Sequence, residues 1–137
     1  MLTMIERQVE PYTSKNLDQL STNGPDLWLG SETAHALGLI FHELATNAAK
    51  YGALSTSQGH VAITWRDDQQ GNTIVEWKEN GGPQVSAPSG QGFGTRLIES
   101  IVSGEFGGTF EPSFSEQGFS CIVTLEAARL RGTEVPI

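Results

Sequence analysis

The stretch Leu37 to Ser55, LGLIFHELATNAAKYGALS, joins an apolar helical pattern to polar residues that folding alone does not require. At about 100° per residue, Ala34, Leu37, Phe41, Leu44, Ala48 and Tyr51 fall on one stripe, which is expected to face a core. Glu43, Asn47 and Lys50 form a second row roughly 120° around the helix, beside the core rather than opposite it. Such a row can line the wall of a cleft. Ser31 is the expected N-cap and Gly52 the expected terminator, giving a helix over residues 32–51.

A chain of 137 residues with 37% hydrophobic content suffices for one ordinary core, so a single domain is expected. Its net charge of −8 argues against nucleic acid or an anionic membrane as a direct partner, because both are polyanions. An anionic ligand remains compatible where backbone donors, a lysine and a divalent cation screen it locally. The single cysteine, Cys121, lies in the apolar run FSCIVTLEA and reads as a buried strand residue. There is no run of about 18 apolar residues and no signal-peptide core at the N-terminus, so the expected location is the cytoplasm.

Outside the main helix, Leu2, Ile5 and Val9 recur at helical spacing up to Pro11, which predicts the last turns of a helix over 2–10. Asn23-Gly24-Pro25 reads as a turn and Leu27-Trp28-Leu29 as a short strand, together a small hairpin. His60 to Arg66 and Asn72 to Lys78 alternate as a second hairpin, in which Trp65 and Trp77 read as packed aromatics. A Gly, Pro and Ser-rich loop over 80–94 precedes a helix from Thr95 to about Ser103, with Leu97, Ile98, Ile101 and Val102 on its buried side. Strands over 108–114 and 118–126 close the chain, and its last residues are expected to fray. This order predicts an α+β fold, a two-layer α/β sandwich with about three helices on one face of a mainly antiparallel or mixed sheet.

Three segments carry chemistry. In the helix row, the Asn47 amide oxygen suits Mg²⁺, Lys50 suits phosphate, and Glu43 is a candidate base; alone, such a row also fits a solvated face. WKENGGP (77–83) ends a strand in the carboxylate of Glu79 followed by Gly81 and Gly82. A carboxylate accepts from an exocyclic amine such as adenine N6, and glycines admit a flat ring, although a Gly-Gly-Pro turn is common by itself. Gly92-Phe93-Gly94-Thr95 opens a helix whose free N–H groups favour phosphate, or else forms a glycine hinge with Thr95 as cap. Other readings fail on identity: HELAT has Thr46 where a zinc-protease motif needs a second histidine, and the glycine loop lacks the Gly-Lys-Ser/Thr ending of a P-loop. His42 beside Glu43 superficially resembles a phosphoacceptor pair, but is taken as a pocket-supporting or core histidine.

In this order and spacing the three segments resemble the ATP-binding catalytic domain of histidine kinases, specifically the HWE group, here through His42, Trp77 and Glu79. HELATNAAKYGALS is similar to that family's N box, WKENGGP to its G1 box and GFGTRLI to its G2 box. The resemblance spans about residues 11–125 and implies the Bergerat ATP-binding sandwich. It divides the chain into the end of a connecting helix (1–10), the catalytic domain (11–126) and a tail (127–137).

The resemblance further implies ATP and Mg²⁺ as ligands. Asn47 would hold the Mg²⁺, while His42, Lys50 and Tyr51 would lie at the nucleotide. Glu79 would bind adenine beside Gly81 and Gly82, and Gly92, Phe93, Gly94 and Thr95 would frame the phosphates. Nine residues separate Gly82 from Gly92, which implies a short lid without a helix. The implied partners are a phosphoacceptor helical hairpin, of the same or a partner kinase, and a downstream response regulator. Residues 1–137 themselves contain no such hairpin, and the first helix is expected to be the stub of a connection to one. A nucleotide-binding regulator without kinase output, and a serine kinase of the anti-sigma type, are the alternatives.

Overall fold

In the computed structural model, which describes residues 2–14, 18–83 and 95–126, the strand periodicity of the second half becomes one face of a sheet. The described elements are α1 (Leu2–Val9), a 3-10 turn (Glu10–Tyr12), β1 (Leu20–Asn23), α2 (Ser31–Tyr51), a 3-10 turn (Ala53–Ser55), β2 (His60–Asp67), β3 (Asn72–Asn80), α3 (Thr95–Phe106), β4 (Thr109–Ser115) and β5 (Gly118–Glu126). The five strands are ordered β1-β2-β3-β5-β4. All neighbours are antiparallel except β1 and β2, so the sheet is mixed and the expected two-layer sandwich is the observed one.

Alternation decides which face is covered. Val61, Ile63 and Trp65 of β2, Val75 and Trp77 of β3, and Cys121, Val123 and Leu125 of β5 are buried against the helices. The helical layer answers with Leu37, Ile40, Phe41, Leu44 and Ala48 of α2, Ile98, Val102 and Phe106 of α3, and Ile5 and Val9 of α1. α1 lies close on α2 at Gly38, where an added Cβ would stand 3.2 Å from the Met4 sulfur. Between β2 and β3, the Asp68 carboxylate accepts the N–H groups of Gln70 and Asn72, and Gly71 takes a left-handed φ of 84°. β4, the edge strand, is where the sheet accommodates Pro112.

Several expectations change. Leu27-Trp28-Leu29 is not a strand and makes no hairpin: the strand lies earlier, at β1, and pairs with β2 in parallel. Parallel pairing needs a long crossover, which α2 supplies, so β1, α2 and β2 form a βαβ unit. The turn after β1 docks on Trp65, whose Nε1 donates to the Pro25 carbonyl at 2.7 Å, while Trp28 is left 78% exposed. Gly30, not Ser31, is the N-cap of α2. Pro11 does not end the first helix abruptly but stands inside a 3-10 turn that continues it. Leu97 is exposed, and α3 runs on to bury Phe106 instead. Tyr51, the last residue of α2, is also exposed where the helix leaves the core at Gly52.

These burial differences carry an expected outcome. Phe41→Ala is expected to destabilise the fold by about 3–5 kcal/mol, whereas Trp28→Ala, the larger truncation, should stay within about 0.5 kcal/mol. Urea denaturation of the two variants checks this.

Candidate functional site

The alternation that buries Thr73, Val75 and Trp77 continues one step further and places Glu79 on the covered face, 4% exposed. A carboxylate there is costly unless it is hydrogen-bonded. Its Oε1 accepts the backbone N–H of Ala53 at 2.9 Å, and its Oε2 accepts the indole N–H of Trp77 at 2.8 Å. A carboxylate offers about four acceptor positions, so each oxygen retains one. Burial raises the pKa of Glu79 above the ordinary carboxylate value, against the opposing pull of the Ala53 and Trp77 donors.

The partner of Glu79 on the helix side is the loop after α2. Gly52 ends α2 by donating its N–H to the Ala48 carbonyl at 3.0 Å, and a Cβ built on it would stand 2.2 Å from Glu79 Oε1. Glycine at 52 therefore leaves the room that the carboxylate occupies. The glycines after Glu79 meet the same loop. Gly81 has a left-handed φ of 76° and its Cβ would stand 2.2 Å from the Gln58 carbonyl oxygen, while a Cβ on Gly82 would stand 2.6 Å from Ala53 Cα. Both glycines thus have a reason in backbone packing that precedes any ligand.

Gln19 braces that loop from the other side and was not legible as a site residue. It is 3% exposed; its Nε2 donates to the carbonyls of Thr56 at 2.8 Å and Gly59 at 3.3 Å, and its Oε1 accepts the Ser14 N–H at 2.9 Å. Thr56 in turn donates its hydroxyl to the Gly81 carbonyl at 3.4 Å. A lone glutamine in a polar stretch gives no sequence signal for this, and neither do Ala53 and Thr56, of which the first acts through its main chain. Gly52 and Gly59, flanking the loop, were the available hint.

On α2, Glu43 and Asn47 are half-buried and Lys50 is exposed, as a row beside the core should be. Of the two expectations for His42, pocket-supporting or core, the structure excludes the second. It is exposed, with its ring centroid 6.0 Å from that of Tyr12 in an edge contact. Five residues of helix separate it from Asn47 by about 140°, so the two side chains leave α2 on different flanks.

Chain topology collects the remaining parts. β4 ends at Ser115 opposite Gly118, and a Cβ on Gly118 would lie 2.8 Å from the Glu79 carbonyl oxygen. α3 turns directly into β4 through Gly107 and Gly108, so its N-terminal residue Thr95 lies at the Glu79 end of the sheet. The end of α2 and the end of β3 therefore join through Ala53 and Glu79, and α3 begins toward the same end of the sheet. Gly92, Phe93 and Gly94 lie outside the described residues. Among the described residues, no group of three or more His, Cys, Asp or Glu side chains is arranged to hold a metal. The rim can offer a buried anionic acceptor, a neutral amide oxygen and a lysine to one elongated ligand.

No protein-family model matches the chain. Over 121 residues it is 40% identical to "Blue-light-activated histidine kinase 1" of Erythrobacter litoralis (strain HTCC2594), covering 85% of this chain and 33% of the relative. It is 37% identical over 111 residues to "Blue-light-activated histidine kinase" of Brucella ovis, covering 79% of this chain and 23% of the relative. The chain thus spans a third or less of these curated relatives. Among solved structures it resembles the Erythrobacter litoralis EL346 blue-light activated histidine kinase, with a TM-score of 0.73 at 16% identity over 93% of this chain and 41% of that one. It also resembles the catalytic domain of histidine kinase ThkA, with a TM-score of 0.63 at 18% identity over 91% of this chain and 86% of that one. These two likenesses show the fold.

The raised pKa of Glu79 fixes the sign of a pH effect. A carboxyl that binds its proton more tightly when folded contributes stability that is full below its unfolded value of 4.5 and is lost as pH rises through the folded value. Glu79→Gln removes this titration, so the stability of the unaltered chain minus that of the variant is expected to fall as pH rises from about 4.5 to 7. Urea denaturation across that range measures the slope.

Proposed function

This chain belongs with the ATP-binding catalytic domains of histidine kinases, and on that premise we propose that it binds Mg-ATP and presents the γ-phosphate to a histidine on a separate helical hairpin. The observation that carries the reading is the Glu79 carboxylate clamped between its own strand and the loop after α2, toward the end of the sheet where α3 begins. Bound ATP supplies the transferable phosphoryl group, and the residues of the chain bind, orient and neutralise.

The donor set fits such a ligand. Glu79 keeps acceptor positions for an exocyclic amine, and a charged carboxylate there would repel the carbonyl that guanine carries instead. Asn47 offers a hard neutral oxygen, which suits Mg²⁺ taking most of its ligands from phosphates and water. Lys50 would answer phosphate charge, with Tyr51 beside it, and the start of α3 at Thr95 would add backbone N–H groups together with Gly92, Phe93 and Gly94. Glu43, one turn before Asn47, is the candidate for orienting the attacking group. Catalysis of this kind rests on positioning and charge neutralisation, with little covalent work by the domain. His42 with the Trp77 and Glu79 pair supports assignment to the HWE group. The attacking histidine would come from a hairpin of the same or a partner kinase, and the phosphoryl group would pass on to a response regulator in the cytoplasm.

Two outcomes test this. The chain should bind ATP in the presence of Mg²⁺ with a Kd on the order of 10–100 µM, about 5.5–7 kcal/mol. Asn47→Ala should abolish the Mg²⁺ dependence while keeping much of the contact to the base, as read by titration calorimetry. No binding in any condition overturns the proposal.

With radiolabelled ATP, the isolated chain should acquire little or no acid-labile label, and adding a helical hairpin from a related kinase should restore transfer. The reason is geometric, because an in-line nucleophile is required and His42 is fixed on the flank of α2 that faces Tyr12. Strong label on the isolated chain that disappears in His42→Ala, with nucleotide affinity kept, would instead make His42 the acceptor.

A further inference from the structure

Trp77 is one of the largest side chains that the fold buries completely, and its indole N–H is spent on a single acceptor, the Oε2 of Glu79 at 2.8 Å. Burial of the ring accounts for its area but not for that bond. Residues 77 and 79 stand two apart on β3 and so point to the same face of the sheet, which lets the indole reach forward to the carboxylate. The Ala53 N–H holds the other oxygen from the loop after α2. A carboxylate anchored by one donor can still rotate about its last torsion; anchored by two, from two different elements, it has a fixed plane, and its remaining acceptor directions are fixed with it.

We infer that Trp77 is a positioning residue for base selection: its indole N–H locks the plane of Glu79 and thereby sets the preference for an adenine over a guanine nucleotide. The inference rests on the proposed nucleotide site and adds to it the residue that gives the site its selectivity. Two contributions from Trp77 act in the same direction. It aims the free acceptor positions of Glu79, and by donating to the charged form it opposes the upward pull of burial on that carboxyl. A protonated carboxyl can donate to the guanine carbonyl as well as accept, so ionised Glu79 discriminates and neutral Glu79 does not. Among the described residues, no charged side chain contributes to the shift of Glu79. Its titratable neighbour on β5 is Cys121, a buried thiol pushed far above its ordinary value by burial first and then by Glu79 and Glu76, and so neutral throughout the range in question.

The test compares Trp77→Phe with Trp65→Phe. The second also removes a buried indole that donates a hydrogen bond, here to the Pro25 carbonyl, but leaves Glu79 untouched. The probes are ATP and GTP with Mg²⁺, titrated at several pH values, with thermal melting as the measure of folding. Expected for Trp77→Phe is a fall in the ATP to GTP affinity ratio of about tenfold or more, as for loss of a bond to a charged group. The pH below which the ratio declines should also move upward, while Trp65→Phe keeps the ratio and profile of the unaltered chain. An unchanged ratio and profile in a folded Trp77→Phe, beside ATP-selective binding by the unaltered chain, overturns the positioning role and leaves the proposed function standing. Absence of nucleotide binding by the unaltered chain overturns the function and the selectivity role together.

Should Trp77→Phe not fold, the indole N–H resonances of the unaltered chain decide. The Trp77 signal is expected to follow the Glu79 titration and to shift more with ATP than with GTP, while those of Trp28 and Trp65 stay still. A Trp77 signal indifferent to pH and to both nucleotides overturns the inference.

Discussion

A buried carboxylate must be bonded on all sides that lack water, and in this chain that requirement organises the rim of the sheet. Glu79 takes one donor from its own strand and one from the loop after α2. The bond from Ala53 ties the sheet to the loop that leaves the helix layer, and the bond from Trp77 holds the carboxylate in place on its own strand. They also constrain the sequence nearby: a side chain at residue 52 would enter the space of the carboxylate, and side chains at 81 or 82 would enter the backbone of the 52–59 loop. The glycines that suggest a ring-binding surface are thus first a condition for closing the rim.

The electrostatics of the rim differ from those of the molecule. The chain carries twice as many acidic as basic side chains, and its overall field opposes an anionic ligand. Within a Debye length of about 8 Å, however, local groups dominate. In the proposed site, Lys50 and the helix start at Thr95 would stand at the phosphate side, while Glu79, the one buried acidic side chain among the described residues, would stand at the base side. Separation of the two charges along one rim lets a polyanion with a neutral base lie in a single orientation.

Much of this was legible in the sequence, for identifiable reasons. The helix ending at Gly52, the two hairpins of the second half and the Asn47 row follow from periodicity, and periodicity survives packing wherever one face is covered. The failures have causes too. Leu27-Trp28-Leu29 has the composition of a strand, but pairing depends on what stands beside a segment, and it was Leu20–Asn23 that met β2. Glu79 was singled out from the motif, yet its burial was hidden by ending the strand two residues short, at Lys78; carrying the alternation of Thr73, Val75 and Trp77 one step on would have put it inside. His42 was read as a pocket-supporting or core histidine, and its exposure excludes the core alternative, because at this helical angle its side chain leaves the buried stripe. Gln19 acts across 37 to 40 residues of sequence, and no local pattern encodes a contact of that span.

That span has a consequence for how the protein is made. Bonds from Gln19 to Thr56 and Gly59, and from Glu79 to Ala53, close loops of 26 to 40 residues, so their entropic cost falls due before they return anything. Helix α2 and the β2–β3 hairpin can begin from near neighbours, but the rim between them acquires its shape only when β1 has been laid beside β2. Contacts of this kind slow folding, and they make the Glu79 end of the sheet among the last parts to assemble. A nascent chain would therefore acquire a helix and hairpins well before it had anything to hold a nucleotide with.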